Sequence, residues 1–362
     1  MAKIKNALIS VSDKENLRFV LQTLKKNKIN IISSGGTYRS IKKLGFKCKE
    51  VSQYTGFEEM LDGRVKTLHP KIHSGILFKR DNKIHKKQMQ KKQFEPIDLV
   101  IVNFYPFETV IRKTSNKEKI IENIDIGGPS MVRAAAKNFE SVTVITDKKD
   151  YSELIKELKN SKGKTTFNFR KKMASKAYGL TAYYDAIVSE WFNRDMGLNF
   201  PERKVFFGKK ISQLRYGENP HQKSSIYINS LKNDDINLQQ LSGKELSYNN
   251  YNDIFASLDI LFSNLKTPST VIIKHANPCG VSSNKSALRS FLNAQASDPI
   301  SAFGGIVACN YKINSRIALE INKTFFEVIL AKGFDKNALR ILKKKKNMRI
   351  IDISKFCYES KT

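Results

Sequence analysis

Short apolar runs alternate with longer amphipathic segments throughout the first part of this chain. An apolar run at 6–11 (NALISV) precedes a segment at 13–27 whose apolar residues recur at helical spacing. Further apolar runs lie at 30–34, 97–107 and 141–146. Strands that alternate with helices favour a mainly parallel sheet with helices packed on its faces. The sequence therefore predicts an α/β protein.

The length predicts two domains, because 362 residues exceed what one hydrophobic core usually serves. Residues 150–198 have helical periodicity and lack proline, and Pro201 follows them. We therefore place a domain boundary at 199. The first domain consists of a core over 1–147 with its helical segment, and the second domain covers 200–362.

Composition restricts the class of partner. The net charge is +30, from 64 basic and 34 acidic residues, but the lysines are dispersed and the dense basic run is KKKK at 343–346. A nucleic-acid surface would need a clustered basic stripe with stacking aromatic residues. We therefore expect small anionic ligands and no nucleic acid. No apolar run approaches the roughly 20 residues of a membrane span, so we expect no membrane partner.

The cysteines bear on compartment and metal content. They show no repeated spacing, which argues against a disulfide framework or a zinc ribbon and favours a reducing cytoplasm. The four are Cys48, Cys279, Cys309 and Cys357.

Two glycine- and serine-bearing segments suit a phosphate. SVSDK (10–14) and SSGGT (33–37) each follow an apolar strand and precede a helix. Such junctions offer backbone N–H groups, hydroxyls and the positive end of a helix. Gly35 and Gly36 let the backbone approach a ligand closely. The competing interpretation is an ordinary turn with capping hydroxyls.

A basic stretch at 58–77 carries Arg64, Lys66 and Thr67 among turn-forming residues. We interpret it as an anion-binding loop and not as a helix face. His69 and His73 are four residues apart, as metal ligands on a helix would be. Pro70 stands between them and no third ligand is nearby, so we predict no metal.

Polar residues also follow the strand within 97–107. Asn103 and Tyr105 stand at its end, where open α/β sheets bind ligands. Asp125 and Gly127 precede a predicted helix that carries Lys137. The competing interpretation of Lys137 is a solvated helix face.

The segment VIIKHANPCGVSS places Lys274, His275 and Cys279 within six residues. A zinc site of the deaminase type needs two cysteines two residues apart, and Cys309 is thirty residues further on. A cysteine nucleophile and a Lys–His acid–base pair remain open from the residues alone.

These motifs together resemble a known family. SVSDK, SSGGT, GRVKTLHP, NFYPF and IDIGGPSMVRAAAKN, in this order, are similar to the N-terminal domain of the bifunctional 5-aminoimidazole-4-carboxamide ribonucleotide (AICAR) transformylase/inosine monophosphate (IMP) cyclohydrolase. LRYGENPHQ, LSGKELSYNNYND, KHANPCGV and SDPISAFGGIVA are similar to its second domain.

The resemblance implies a methylglyoxal-synthase-like parallel-sheet domain that closes the ring of formyl-AICAR to give IMP. Lys66 would stabilise the oxyanion, and Tyr105, Asp125 and Lys137 would position groups and shuttle protons. Asn103 would contact the base. The remaining implied substrate-binding residues are Ser12, Lys14, Ser34, Gly36, Thr37, Arg64, Thr67 and Gly127.

For the second domain the resemblance implies a cytidine-deaminase-like transformylase fold, present in part. His275 would take a proton from the amine that attacks 10-formyltetrahydrofolate, a co-substrate, while Lys274 stabilises the transition state and Cys279 only packs. The implied nucleotide-binding residues are Arg215, Tyr216, His221, Asn277 and Gly304. It also implies a homodimer.

The family's second domain has two comparable halves, and the sequence printed here covers the first. We therefore expect this chain to close the ring and to transfer formyl groups weakly or not at all. Two alternatives stay open. One is methylglyoxal synthase or another phosphate-binding member of the same fold, and the other is a basic nucleic-acid binder.

Overall fold

The computed structural model describes residues 3–229, 238–263 and 267–356. The chain divides into two units, residues 1–207 and 208–362, and each is described by itself. Within the described ranges, no helix is long and apolar enough to cross a membrane. Cys357 lies outside the described residues.

Unit 1 is built on a five-stranded sheet in the order β3-β2-β1-β4-β5, with every pairing parallel. Apolar side chains from both sheet faces and the packed helices form one core, with Leu8, Ile9 and Val100 fully buried. The strands are β1 Asn6–Val11, β2 Asn30–Ser33, β3 Lys49–Glu50, β4 Leu99–Asn103 and β5 Thr143–Ile145.

Helices cover the sheet of unit 1 and connect its strands. Short 3₁₀ turns lie at Leu61–Gly63 and Lys148–Asp150. The α-helices are α1 Leu17–Lys26, α2 Gly35–Lys43, α3 Val51–Thr55, α4 Pro70–Leu77, α5 Lys83–Lys91, α6 Phe107–Lys113, α7 Lys117–Glu122, α8 Gly127–Lys137, α9 Tyr151–Asn160 and α10 Phe167–Asp195.

Helix α10 is fixed to the rest of unit 1 near its beginning. The Arg170 guanidinium is buried there and donates to the carbonyls of Phe139, Glu140 and Thr165 at 2.7, 2.8 and 2.5 Å. These bonds satisfy a charge that would be costly to bury alone. They hold α10 against the connection between α8 and β5.

Unit 2 contains a mixed six-stranded sheet in the order β10-β9-β11-β12-β13-β8 and a separate hairpin of β6 with β7. Its strands are β6 Lys209–Gln213, β7 Ser225–Ile228, β8 Gln239–Ser242, β9 Ser269–Lys274, β10 Asn277–Ser283, β11 Ile306–Cys309, β12 Val328–Ala331 and β13 Arg349–Asp352. Its α-helices are α11 Tyr248–Leu261, α12 Ala287–Ser297, α13 Pro299–Ala302, α14 Ser315–Asn322 and α15 Lys336–Leu342.

The predicted α/β class and the parallel N-terminal sheet are confirmed. One local prediction is wrong: residues 58–77 are not entirely a loop, because α4 occupies Pro70–Leu77. Pro70 is the first residue of that helix, where its missing N–H costs nothing and its fixed φ suits the helix. The proline therefore begins a helix rather than preventing one.

Candidate active site

A cavity of about 620 Å³ opens at the carboxyl ends of β1 and β4. The direction of the strand order changes between these two strands, so the polar connections that follow them diverge and leave a crevice. Twelve residues predicted from the sequence line it: Ser12, Lys14, Ser34, Gly36, Thr37, Arg64, Lys66, Thr67, Asn103, Tyr105, Asp125 and Gly127. They come from five separate segments of the chain.

Helix α2 begins at the cavity with a bare N-terminus. Gly35 has φ +52°, which favours glycine, and the Ser34 side chain makes no capping hydrogen bond to the helix. The first N–H groups of a helix have no acceptor within that helix and carry its positive end. A phosphate seated here would receive hydrogen bonds and a favourable field.

Lys66 lies between two glycines. Its Nζ is 3.4 Å from the position that a Cβ on Gly35 would take. A Cβ on Gly63, where φ is +86°, would lie 2.2 Å from Lys66 Cε and 2.5 Å from Nζ. The ammonium also pairs with Glu59 at 3.1 Å. Because Gly63 has no Cβ, the Lys66 side chain can occupy this position in the cavity.

Asn103 fixes the loop that follows β1. Its Oδ1 accepts from the backbone N–H groups of Ser12 and Asp13 at 2.5 and 3.1 Å, and its Nδ2 donates to the Asp13 carbonyl at 3.0 Å. The side chain that the resemblance assigns to the base is therefore engaged with the protein's own backbone. It shapes the phosphate end of the cavity.

Thr37 has a comparable engagement. Its hydroxyl accepts from the Val11 N–H at 3.0 Å and donates to the Val11 carbonyl at 2.9 Å. The hydroxyl ties α2 to the end of β1, so the group that Thr37 can offer a ligand is its backbone N–H.

A lysine outside the predicted set neutralises the acids beside Lys14. Lys148 pairs with Asp13 at 2.7 Å and also with Glu15. The hydrogen bond from Lys148 is the main reason that the pKa of Asp13 lies below its ordinary value. Without Lys148, two carboxylates would flank the Lys14 ammonium and weaken the attraction for an anion.

Asp125 lines the cavity just before α8 and is held by two backbone N–H groups. Its Oδ1 accepts from Gly128 at 2.8 Å and its Oδ2 from Tyr105 at 3.4 Å. Burial raises the pKa of Asp125, and these two hydrogen bonds oppose the rise. A carboxyl group whose pKa is moved toward neutrality is better suited to exchange protons.

Glycines at the start of α8 allow close approach. A Cβ on Gly127 would lie 2.7 Å from Thr67 Oγ1, and one on Gly128 would lie 2.5 Å from Asp125 Oδ2. Arg64, at the rim, forms an ion pair with Glu122, which also lines the cavity. The site therefore combines cations and the N-terminus of α2 with a half-buried carboxyl group at the start of α8.

Lys137 is not brought to this cavity. It is exposed at the C-terminal end of α8, whereas Gly127 at the beginning of the same helix lines the site. Ten residues of helix separate them by about 15 Å. Of the thirteen predicted residues in unit 1, Lys137 alone is absent from the lining.

In unit 2, Lys274 and His275 lie at a hairpin turn. Lys274 ends β9 and its Nζ donates to the Phe303 carbonyl at 2.8 Å. His275 and Ala276 form the two-residue turn with φ +55° and +58°, which is the geometry of a type I′ turn. The Ala276 N–H donates to Asp253 Oδ1 at 2.7 Å. His275 is exposed at the tip.

The other predicted residues of unit 2 lie in separate segments. Asn277 donates to the His275 carbonyl at 2.9 Å, and the Gly304 N–H donates to the Phe325 carbonyl at 2.8 Å. Arg215 and Tyr216 lie between β6 and β7, with the guanidinium 5.8 Å from the ring centroid. His221 is exposed in the same connection.

The described cysteine and histidine residues show no feature of a reactive thiol or of a metal site. Burial is the main cause of the raised pKa of Cys279, which disfavours a thiolate nucleophile. In the part of the chain that the structure describes, no three His, Cys, Asp or Glu side chains are grouped to hold a metal ion. His73 lies in α4, its Nε2 is buried without a hydrogen-bond partner, and burial lowers its pKa.

Comparison with known proteins identifies the relatives of this chain. A family model described as "AICARFT/IMPCHase bienzyme" matches residues 135–362, and one described as "MGS-like domain" matches residues 16–130. A solved structure titled "Crystal structure of ForH" is 32% identical and covers 52% of this chain and 99% of its own. Its TM-score of 0.47 is too low to support an argument.

Two curated relatives are both named "Bifunctional purine biosynthesis protein PurH". The protein from Bradyrhizobium diazoefficiens is 46% identical over 352 residues, which cover 96% of this chain and 66% of the relative. The protein from Thermoanaerobacter sp. is 47% identical over 352 residues, which cover 96% and 68%. The chain thus spans about two thirds of the length of these relatives. Because the bienzyme model matches more than half of its residues, the chain belongs to the AICARFT/IMPCHase bienzyme family.

Proposed function

We propose that unit 1 closes the ring of formyl-AICAR to give IMP and water, a step of de novo purine biosynthesis. The observation that carries this proposal is the convergence of twelve predicted residues on one cavity of about 620 Å³. That volume lies within the range of pockets for small ligands. Its cations and the N-terminus of α2 suit the 5′-phosphate, and Asp125 provides a group that can exchange protons with the reacting atoms.

In this mechanism the carboxamide nitrogen attacks the formyl carbon within one bound molecule. The Lys66 ammonium stabilises the negative charge that gathers on the formyl oxygen. Asp125 accepts the proton that the attacking nitrogen loses and returns it to the oxygen. The formamide nitrogen then gives up its own proton, which the oxygen takes as the C=N bond forms and water leaves. Because the two reacting groups belong to one molecule, holding the reactive rotamer supplies much of the rate.

The tight hydrogen bonds of Asn103 and Thr37 support this role of the site. Both side chains fix the backbone around the phosphate end instead of adapting to a ligand. Such preorganised groups lose little entropy when the substrate binds. We therefore assign Asn103 to shaping the Ser12–Lys14 loop, in place of direct contact with the base.

Methylglyoxal synthase is the competing activity, since the MGS-like model also matches unit 1. The experiment offers the purified 362-residue chain either formyl-AICAR or dihydroxyacetone phosphate. IMP formation is followed by ultraviolet absorbance and phosphate release by a colorimetric assay. We expect IMP and no phosphate. Phosphate release from dihydroxyacetone phosphate without IMP formation would replace our proposal with the competing one.

For unit 2 we propose the transformylase half-reaction on a cytidine-deaminase-like fold, with 10-formyltetrahydrofolate as co-substrate. The support is the His275–Ala276 turn, which follows Lys274 and whose two positive φ values store strain of the kind found at functional sites. His275 would accept the amine proton and Lys274 would stabilise the developing charge. We further propose that the family's homodimer applies and that the activities divide between the two units.

The formyl-transfer proposal has its own test. The 362-residue chain is given AICAR and 10-formyltetrahydrofolate, and tetrahydrofolate formation is measured. We expect a rate far below the ring-closing rate, because the residues predicted to bind the nucleotide lie in separate segments and three of them, Arg215, His221 and Asn277, are exposed. A formyl-transfer rate equal to the ring-closing rate would contradict that expectation.

A further inference from the structure

Helix α10 distinguishes unit 1 from a minimal MGS-like domain. The MGS-like model ends at residue 130, whereas α10 spans Phe167–Asp195 within the region matched by the bienzyme model. A ring-closing site that depends on this helix would explain why the two models meet within one unit. One side chain of α10 contacts a residue that lines the cavity.

Tyr184 makes that contact. Its hydroxyl oxygen accepts a hydrogen bond from the backbone N–H of Asp125 at 2.8 Å. Asp125 lies at the beginning of the turn that leads into α8, and it lines the cavity. The hydrogen bond therefore links α10 to the residue that we assign to proton exchange.

The Tyr184 ring is itself firmly placed. Its side chain is only 7% exposed, and it makes edge-on contacts with Phe104 at 5.1 Å and Phe107 at 6.1 Å between ring centroids. Phe107 in turn contacts Trp191, which lies about two turns of α10 beyond Tyr184. Such aromatic packing limits the positions of the hydroxyl group.

We propose that Tyr184 is a positioning residue for the ring-closing reaction: it acts through Asp125, whose backbone it holds so that the carboxyl group stays in the cavity wall. The proposal rests on the proposed function of unit 1. Removing the hydroxyl would leave a part-buried N–H without its acceptor, and the chain around Asp125 would move to find another. A displacement of about 1 Å at a reacting group is enough to slow catalysis strongly.

The test uses Tyr184→Phe, which keeps the packed ring and removes only the hydroxyl. The matched control is Tyr178→Phe on the same helix. The Tyr178 side chain is 40% exposed, and its ring centroid lies 5.7 Å from the Arg133 guanidinium. For Tyr184→Phe we expect kcat for formyl-AICAR to fall about tenfold with KM within about twofold. Tyr178→Phe should change neither constant.

A second readout does not need activity. The Asp125 carboxyl group is titrated by ¹³C NMR in both variants and in the original chain. In Tyr184→Phe the carboxyl group becomes more hydrated, so its pKa falls toward the ordinary value, and Tyr178→Phe leaves it unchanged. In an Asp125→Ala background, Tyr184→Phe should cause no further loss of kcat, because the carboxyl group through which it acts is gone.

The outcomes separate this inference from the proposed function. If the original chain forms no IMP, the proposed function fails, and the Asp125 titration still decides whether Tyr184 places that group. If the chain forms IMP, both the lower kcat and the shifted titration are required. Either change without the other, or a further kcat loss in the Asp125→Ala background, would overturn the positioning role.

Discussion

The two units present their predicted residues in opposite ways. In unit 1, segments far apart in sequence meet at one cavity, and their polar atoms are engaged by hydrogen bonds. In unit 2, Lys274 and His275 are adjacent in sequence, and His275 is exposed at the tip of a hairpin turn. Arg215 and His221 are exposed in a different connection. Proximity in sequence is therefore a poor guide to the assembly of a site, whereas strand ends in a parallel sheet are a good one.

The two units also differ in the kind of destabilising feature that they contain: an acidic group removed from water in unit 1 and a strained backbone turn in unit 2. Unit 1 holds the Asp125 carboxyl group half-buried, and this burial raises its pKa. Unit 2 holds Ala276 at φ +58°, a region that costs a non-glycine residue about 1–2 kcal/mol. Departures of this kind persist where function needs them.

Gly63→Ala should have the largest effect, because it displaces Lys66 from the cavity of unit 1 and leaves unit 2 unchanged. The added Cβ would collide with Lys66 Cε and Nζ, so the ammonium moves and kcat for ring closure falls about 10²-fold. Gly56→Ala is the control, since Gly56 also has positive φ but a Cβ there meets nothing within 4 Å. Equal kcat values for the two variants, measured by IMP formation, would mean that backbone strain and not Lys66 is responsible.

Lys148→Ala should have a moderate effect that is restricted to binding. With Asp13 and Glu15 no longer neutralised, KM for the phosphorylated substrate should rise about two- to fivefold, the size expected for exposed ion pairs, while kcat stays unchanged. Lys172→Ala, which breaks an exposed pair with Glu153 at 2.7 Å, is the control. A similar KM rise in both variants would show that overall charge, and not the loop, is being measured.

Ala276→Gly tests the strain in unit 2. Glycine accepts positive φ without a steric penalty, so the free energy of unfolding should increase by about 0.5–1 kcal/mol. Ala296→Gly, on the exposed side of α12, should decrease it by a similar amount. Urea denaturation measures both. A loss of stability in Ala276→Gly would show that the turn is unstrained.

Asp125→Asn tests what the half-buried carboxyl group costs unit 1, through the pH dependence of the melting temperature. The folded-state pKa of Asp125 is raised, so ionisation destabilises the fold once the pH exceeds the ordinary value of 3.8. We expect the variant to melt at a higher temperature than the original chain at pH 7, with the difference narrowing as the pH falls toward 3.8.

Asp13→Asn is the control of opposite sign. The pKa of Asp13 is lowered, so its ionised form stabilises the fold at neutral pH, and that contribution is lost as the pH falls below 3.8 through the folded-state value. This exposed variant should melt slightly below the original chain at pH 7. If both variants shift the melting temperature in the same direction, burial is not what distinguishes the two carboxyl groups.

Much of the fold, and most of the residues that meet at the candidate site of unit 1, could be predicted from the sequence. The apolar runs at 6–11, 30–34 and 141–146 contain the observed strands β1, β2 and β5. The end of each apolar run marks the end of a strand. The glycine and hydroxyl residues that follow it therefore mark the edge of the sheet at which ligands bind. The boundary predicted at 199 compares with a division after Phe207.

The remaining parts depend on tertiary contacts that no local pattern encodes. Lys148 follows β5 in an ordinary charged turn, and only the sheet order brings it to Asp13. Tyr184 is one of several tyrosines on α10, and only the packing of that helix selects it. For Lys137 the motif predicted a site residue, but the residue ends α8 and does not line the cavity.

The most direct measurement compares IMP formation from formyl-AICAR by the original chain, Lys66→Ala and Lys274→Ala. Our account predicts that Lys66→Ala lowers kcat about 10²–10³-fold, the loss typical of one oxyanion-stabilising group, and that Lys274→Ala leaves ring closure unchanged. Equal losses in the two variants, or full activity in Lys66→Ala, would contradict the assignment of ring closure to the cavity of unit 1.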